Sequence, residues 1–163
     1  MLKYVDVAVT FSEIPDEITL CIDISNCPNH CPGCHSKYLW EDIGEPLNKE
    51  SVLKLISENE GITCVCLMGG DQAPNSITWL ARCIKEKYPH LKVAWYSGLS
   101  EIHKDIDVAY FDYIKIGPYI EELGPLTSPT TNQKMIAFNH PTGEVCSDWY
   151  TMDITYKFWN KNG

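Results

Sequence analysis

Cys27, Cys31 and Cys34 stand in the run Cys-Pro-Asn-His-Cys-Pro-Gly-Cys, spaced C-x3-C-x2-C, and no fourth cysteine follows at a matching interval. A closed structural zinc or iron–sulfur site takes four protein ligands. Three thiolates can instead hold three irons of a cubane cluster and leave the fourth iron open to a small molecule. An open iron can chelate an amine and a carboxylate together.

S-adenosylmethionine offers both groups at its methionine end. Chelation there places its sulfonium beside the cluster. An electron from the reduced cluster then splits the bond to the adenosyl carbon, giving a 5′-deoxyadenosyl radical that removes hydrogen from unactivated C–H bonds. Chemistry of this kind needs no acid–base pair and no nucleophile. The sequence offers no convincing Ser-His-Asp or paired-carboxylate arrangement.

The elements that position the cysteines are legible as a series. Val5–Phe11 and Ile18–Ile24 are strand-like, with Pro15 and Asp16 in the turn between them. The cysteine run follows the second strand directly. Asn48 reads as a helix cap, Val52, Leu53, Leu55 and Ile56 as an apolar face, and Gly61 as the helix end. Ile62–Met68 is almost wholly apolar, as in a strand covered on both faces, and Gly69-Gly70-Asp71 breaks it. Asn75 or Ser76 caps a second helix, whose inward residues are Ile77, Leu80, Ala81 and Ile84, with Pro89 past its end. Leu91–Tyr96 is a strand stopped by Ser97-Gly98, and Ser100–Ile106 reads as a short helix. Asp112–Ile116, stopped by Gly117-Pro118, and Lys134–Phe138 are further strands; Thr142-Gly143 is a turn and the tail from Trp149 is ambiguous.

This order predicts an α/β fold: a mostly parallel, curved sheet with helices outside, forming a partial, open βα barrel. A closed eight-fold barrel takes about 250 residues, and the chain has 163. Residues 1–163 read as one domain, with no internal repeat or linker. Ligands gather at the carboxyl ends of the strands in such sheets. The cysteine loop, Gly69–Asp71, Ser97-Gly98 and Gly117-Pro118 all fall there.

Composition narrows the setting. The formal net charge of −9 argues against unaided nucleic-acid binding, which needs a basic face. No apolar run is long enough to span a bilayer, and no signal peptide is evident at the start. Eight cysteines without an export signal point to a reducing cytoplasm rather than to a disulfide framework. Cys21, Cys64, Cys66 and Cys83 lie in apolar stretches and read as buried small hydrophobes, while Cys146 lies in a polar loop and has no assignable role.

The three-cysteine motif resembles that of radical S-adenosylmethionine enzymes, and the cubane implied is one 4Fe-4S cluster. Within that superfamily the chain is similar to the activating proteins of anaerobic (class III) ribonucleoside-triphosphate reductase. The Cys-Pro-Gly-Cys-His loop, the Gly-Gly-Asp ending, Trp95-Tyr96-Ser97-Gly98, Thr131-Asn132-Gln133 and the overall length carry the similarity, over most of the chain. The resemblance implies Cys27, Cys31 and Cys34 as cluster ligands. It implies Gly33, Cys34 and His35 beside S-adenosylmethionine near its adenine, and Gly70 with Gly69 and Asp71 at its methionine end. An ammonium needs acceptors, and glycines let backbone carbonyls approach it. Asp71 stands where Glu is commoner in the superfamily, and Gly33 where an aromatic residue often precedes the third cysteine. Lys115 and the segment 117–124 match less clearly and receive no role. The activity implied is removal of hydrogen from the Cα of a glycine in the reductase, with electrons from a low-potential donor such as flavodoxin or ferredoxin.

Other readings stand beside this one. An activase for another glycyl-radical enzyme, of the pyruvate formate-lyase type, shares the cluster loop. A non-catalytic zinc-binding interaction module would use the cysteines with His30 or His35. His35 directly follows Cys34, and adjacent ligands are awkward in a tetrahedral site; His30 reads as a solvent-facing loop residue. His90, His103 and His140 read as surface residues. Trp40, Trp79, Trp95, Trp149 and Trp159 are mostly core candidates, the last two alternatively a partner surface, and Lys85-Glu86-Lys87 is a solvated helix face.

Overall fold

A computed structural model describes residues 1–139 and 150–159. Its strands are β1 (Lys3–Thr10), β2 (Thr19–Ile24), β3 (Glu45–Pro46), β4 (Cys64–Met68), β5 (Lys92–Tyr96), β6 (Tyr113–Ile116), β7 (Lys134–Asn139) and β8 (Tyr150–Asp153). Two α-helices, α1 (Lys49–Ser57) and α2 (Pro74–Lys87), lie between β3 and β5 in the chain. The strands form one open sheet in the order β3-β1-β2-β4-β5-β6-β7-β8. No helix among the described residues is long and apolar enough to cross a membrane.

The parallel block is β2, β4, β5 and β6, joined edge to edge in parallel register. Every other pairing is antiparallel: β1 on β2, β3 on β1, β7 on β6 and β8 on β7. The sheet is therefore mixed, which corrects the expectation of a mostly parallel one. Parallel neighbours need long crossovers, and only the links carrying α1 and α2, and the 97–112 segment, supply them. The chain elsewhere turns back as hairpins or along loops. Sequence patterning marks β1, β2, β4, β5, β6 and β7 but not β3 or β8, and it carries no information on strand direction.

Alternation along the parallel block sorts its side chains onto two faces. Leu20, Ile22, Ile24, Val65, Leu67, Val93, Trp95 and Ile114 are buried in one core with Val52 and Ile56 of α1 and Ile77, Leu80, Ala81 and Ile84 of α2. Cys21, Cys64, Cys66, Ala94 and Met135 face the other way, into a second core closed by Ile14, Leu126, Ile154 and Phe158. Both helices thus cover one face, while the β1–β2 turn, the 125–127 loop and the tail cover the other. The ambiguous tail is structured here, as an edge strand and a 3-10 turn over Thr155–Phe158.

Several local readings change. Asn48 caps α1 as expected, in a reciprocal pair with Ser51. Gly61 lies beyond the helix end at Ser57, in the turn before β4. The cap of α2 is Ala73, two or three residues before the expected Asn75 or Ser76, because Pro74 suits the first helical position, where no N–H is needed. Ser100–Ile106 forms no helix. The segment is too short to nucleate one alone, and its end is pinned to α2 by Thr78, which donates to the Asp105 carbonyl and accepts from the Asp107 amide. A 3-10 turn follows at Val108–Tyr110.

Trp95 is fully buried, whereas Trp79 is 50% exposed on α2, against expectation. Lys85 is not a solvated residue: its ammonium reaches Asp112 at 2.6 Å and the Leu91 carbonyl at 3.0 Å, fastening α2 to β5 and β6. Cys21, Cys64, Cys66 and Cys83 are buried as expected. Cys146, His140, the Thr142-Gly143 turn and Trp149 lie outside the described residues.

Candidate iron–sulfur and cofactor site

The carboxyl ends of β2, β4, β5 and β6 meet around a cavity of about 210 Å³. Cys27, Cys31 and Cys34 line it from the loop after β2, and Gly69 and Asp71 from the loop after β4. The three thiols thus share one space with Gly69 and Asp71. A larger hollow of about 420 Å³ between β6, β7 and β8 contains none of these groups.

The cysteine loop is held by backbone and side chain. The Asn26 and Cys27 amides donate to the carbonyls of Glu41 and Leu39, and the Cys34 amide to that of Cys31. Asn26, before Pro28, and His30, between Pro28 and Pro32, adopt positive φ, which lets the loop turn sharply. Two donors approach the sulfurs: the Ser36 amide lies 3.4 Å from Cys34 Sγ and Asn29 Nδ2 lies 3.8 Å from Cys27 Sγ. Hydrogen bonds to cluster-bound sulfurs are one means by which a protein sets a cluster's reduction potential.

Asp71 is the junction of the cavity. Its carboxylate accepts from Asn29 Nδ2 at 2.6 Å, from Ser97 Oγ at 2.6 Å and from the Gly98 amide at 2.8 Å. One side chain therefore ties the cysteine loop to the ends of β4 and β5. Gly98 must lack a side chain here, since a Cβ would stand 2.5 Å from Asn29 Nδ2.

Gly70, Gly33 and His35 do not line the cavity. Gly70, at φ +91°, packs against α2, where a Cβ would fall 2.4 Å from Ile77 Cδ1. Gly69 lines the cavity, but its carbonyl already accepts from Trp95 Nε1 at 2.7 Å. Gly33 lies beside Tyr119 and Glu121. His35 is exposed, with its ring 5.8 Å from that of Tyr119. The 117–124 segment, which had no assigned role, thus braces the outer side of the cysteine loop. His30 is exposed as expected, yet its ring stacks on Trp40 at 4.6 Å.

Sequence reasoning missed Asn29, Trp40 and Lys115 as cavity residues. Lys115 is buried at the end of β6, and its ammonium donates to the carbonyls of Ser97 at 3.0 Å and Gly117 at 2.9 Å. Burial pushes it down to about 8, against the pull of Asp71 nearby. A lysine inside an apolar strand is the signal that was available. In the core, burial pushes the Cys64 and Cys66 thiols up, which keeps them protonated and inert.

The donor set fits an iron–sulfur cluster. Three free thiols share one cavity, the ligand type such clusters take. Trp40 lines the cavity, and its Nε1 is buried with no acceptor among the described residues. Among the described residues, no set of three or more His, Cys, Asp or Glu side chains converges tightly enough to hold a single metal ion.

No curated protein and no solved structure matches the chain. Residues 18–126 match a family described as "4Fe-4S single cluster domain", a kind of domain typical of radical S-adenosylmethionine activases. The matched span is two thirds of the chain and contains the three cysteines, Gly69–Asp71 and Lys115. The chain belongs to the 4Fe-4S single cluster domain family.

Proposed function

We propose that this protein is a radical S-adenosylmethionine activase that generates a glycyl radical on anaerobic ribonucleoside-triphosphate reductase. The observation that carries the reading is the meeting of three loop thiols with Gly69 and Asp71 around one cavity at the strand ends. The family match supports the cluster, and the sequence resemblance supports the partner. When bound, the cluster supplies the electron that breaks the sulfonium bond of S-adenosylmethionine.

The chain's own residues bind and orient. Cys27, Cys31 and Cys34 hold the cluster; Asp71, through Asn29 and Ser97, fixes the loop that carries them. Asp71 accepts three hydrogen bonds, and a carboxylate has about four acceptor positions. One position is left for the ammonium of the methionine end. Reduction calls for a low-potential donor such as flavodoxin or ferredoxin.

The test is a paired assay on anaerobically reconstituted protein. With a reductant and S-adenosylmethionine, 5′-deoxyadenosine should form. Addition of the reductase should then give a glycyl doublet in electron paramagnetic resonance. Release of 5′-deoxyadenosine with a doublet on pyruvate formate-lyase and none on the reductase would reassign the partner. Stoichiometric zinc without sulfide in protein purified without air would remove the enzyme reading altogether.

A further inference from the structure

Gln133 stands just before β7 and is 7% exposed. Its Nε2 donates to the Gly117 carbonyl at 3.3 Å, which fixes the way the amide points, because a carbonyl calls for a donor. The side-chain oxygen is therefore turned elsewhere. It accepts no hydrogen bond among the described residues, yet it is not sealed off as Asn132 Oδ1 is. A buried amide oxygen left open and unpaired is half of an unfinished hydrogen bond.

Gln133 belongs to two cavities at once. It lines the cysteine cavity with Tyr96 and Lys115, and the same three residues line a second cavity of about 290 Å³. The hollow between β6, β7 and β8 shares no residue with the cysteine cavity. Pro125, Leu126 and Phe158 give the second cavity apolar walls, and Ser12 and Thr127 add hydroxyls. The charged groups on its wall already have partners: Lys115 donates to two carbonyls, and Glu13 Oε2 accepts from the Tyr96 hydroxyl at 3.3 Å. Apolar surface, hydroxyls and one neutral acceptor remain on offer. A polypeptide backbone carries the complementary groups, since each non-proline residue brings one N–H and one carbonyl. Hydrogen removal also needs the reacting atoms in contact, so a substrate must lie against the wall that borders the cofactor.

We propose that Gln133 seats the substrate polypeptide: its side-chain oxygen accepts a backbone N–H from a segment lying in the second cavity, against the wall shared with the cysteine cavity. The ligand class follows from the neutral acceptor and the mixed walls; that the segment carries the radical glycine of the reductase rests on the reading under Proposed function. Gln133 binds and orients, and it transfers nothing.

The seat is tested on the iron-loaded protein with S-adenosylmethionine under anaerobic conditions, reading the glycyl doublet against reductase concentration. Gln133→Leu removes the oxygen. It should raise the reductase concentration at half-maximal doublet formation by about ten-fold, the worth of one hydrogen bond, with a smaller effect on S-adenosylmethionine. A synthetic peptide spanning the radical glycine, and copies of it N-methylated at one backbone position each, then compete with the reductase. In wild type one N-methyl position should weaken competition by about ten-fold. With Gln133→Leu that same copy should differ from the parent peptide by less than about two-fold. A scan in wild type with no sensitive position would overturn the seat, and that result needs no variant to fold. An equal loss for the reductase and for S-adenosylmethionine would assign the oxygen to the cofactor and overturn it too. A doublet that Gln133→Leu leaves unchanged overturns this inference alone. No doublet from loaded wild type overturns the reading it rests on, and the inference with it.

Discussion

Asn29 and Asp71 are 42 positions apart in the chain, and the Asn29 amide nitrogen donates to Asp71 Oδ2 at 2.6 Å. This bond joins the cysteine loop to the strand end that follows it in the sheet. Ser97 and Gly98 complete the carboxylate from the next strand. The loop that carries three thiols is thus indexed to the sheet by one acidic side chain.

Removing that carboxylate should loosen the site more than it loosens the fold. Asp71→Ala leaves the donors of Asn29, Ser97 and Gly98 without their acceptor. Hydrogen bonds to a charged group contribute about 1.5–3 kcal/mol each where no water replaces them. The site borders a cavity, so water recovers part of this, and a total loss of about 2–3 kcal/mol is expected in urea unfolding. Hydrogen exchange at the Gly98 amide should accelerate at least as much as global unfolding allows. Asp71→Asn, which keeps one acceptor oxygen, should cost roughly half. Unchanged exchange at Gly98 in Asp71→Ala would contradict the junction role.

Gly70 separates a packing glycine from a turn glycine. Gly70→Ala would place a Cβ 2.4 Å from Ile77 Cδ1 at φ +91°. Left-handed strain adds about 1–2 kcal/mol and overpacking about 1–3 kcal/mol. Gly61→Ala carries a similar strain at φ +86° but meets nothing within 4 Å. The expected losses are therefore about 3 kcal/mol or more at Gly70 and about 1 kcal/mol at Gly61. Equal losses would mean that Ile77 gives way without cost.

Much of this site was legible because its residues signal locally. The cysteine spacing, the glycines after β4 and the Ser-Gly after β5 each announce a strand end or a ligand. Apolar patterning located β1, β2, β4, β5, β6 and β7 to within a few residues. What escaped was relational. Strand direction in β7, and the pairing of β8 onto it, depend on neighbours that no local pattern names. Asn29 is an ordinary loop asparagine until Asp71 folds beside it. Lys85 reads as a solvated charge until β6 brings Asp112 within 2.6 Å. Gly70, which the resemblance implies at the methionine end of S-adenosylmethionine, also packs against Ile77 of α2, a contact no local pattern names.

The buried charge of Lys115 should be visible in the pH dependence of stability. Its ordinary value of 10.5 falls to about 8 in the fold, with burial as the largest cause. Between these values the unfolded chain binds the proton that the folded chain has lost, so stability rises with pH there. Below about pH 8 both states are charged and the full penalty applies, about 3 kcal/mol. Lys115→Met has no such group. Its stability relative to wild type should therefore fall by about 3 kcal/mol between pH 7 and pH 11. Urea unfolding of both proteins across that range checks the slope. A difference that is flat with pH would mean that the ammonium is not desolvated.

The two classes of cysteine should part cleanly under substitution. Cys27, Cys31 and Cys34 line the cavity and lie on a loop, so their side chains contribute little packing. Cys64, Cys66 and Cys83 are fully or nearly fully buried among apolar neighbours. Alanine at any loop position should abolish stable iron and sulfide binding while leaving the unfolding of the metal-free chain within about 0.5 kcal/mol of wild type. Alanine at Cys64 or Cys83 should do the reverse. It should keep the iron and sulfide content of reconstituted protein and cost about 1–2 kcal/mol, the effect of deleting a small buried group. Iron and sulfide analysis paired with urea unfolding reads both quantities on the same samples. Full iron and sulfide retention in Cys31→Ala would show that the ligand set is wrong, because a cubane held by two thiolates from this loop would then need a third ligand from elsewhere.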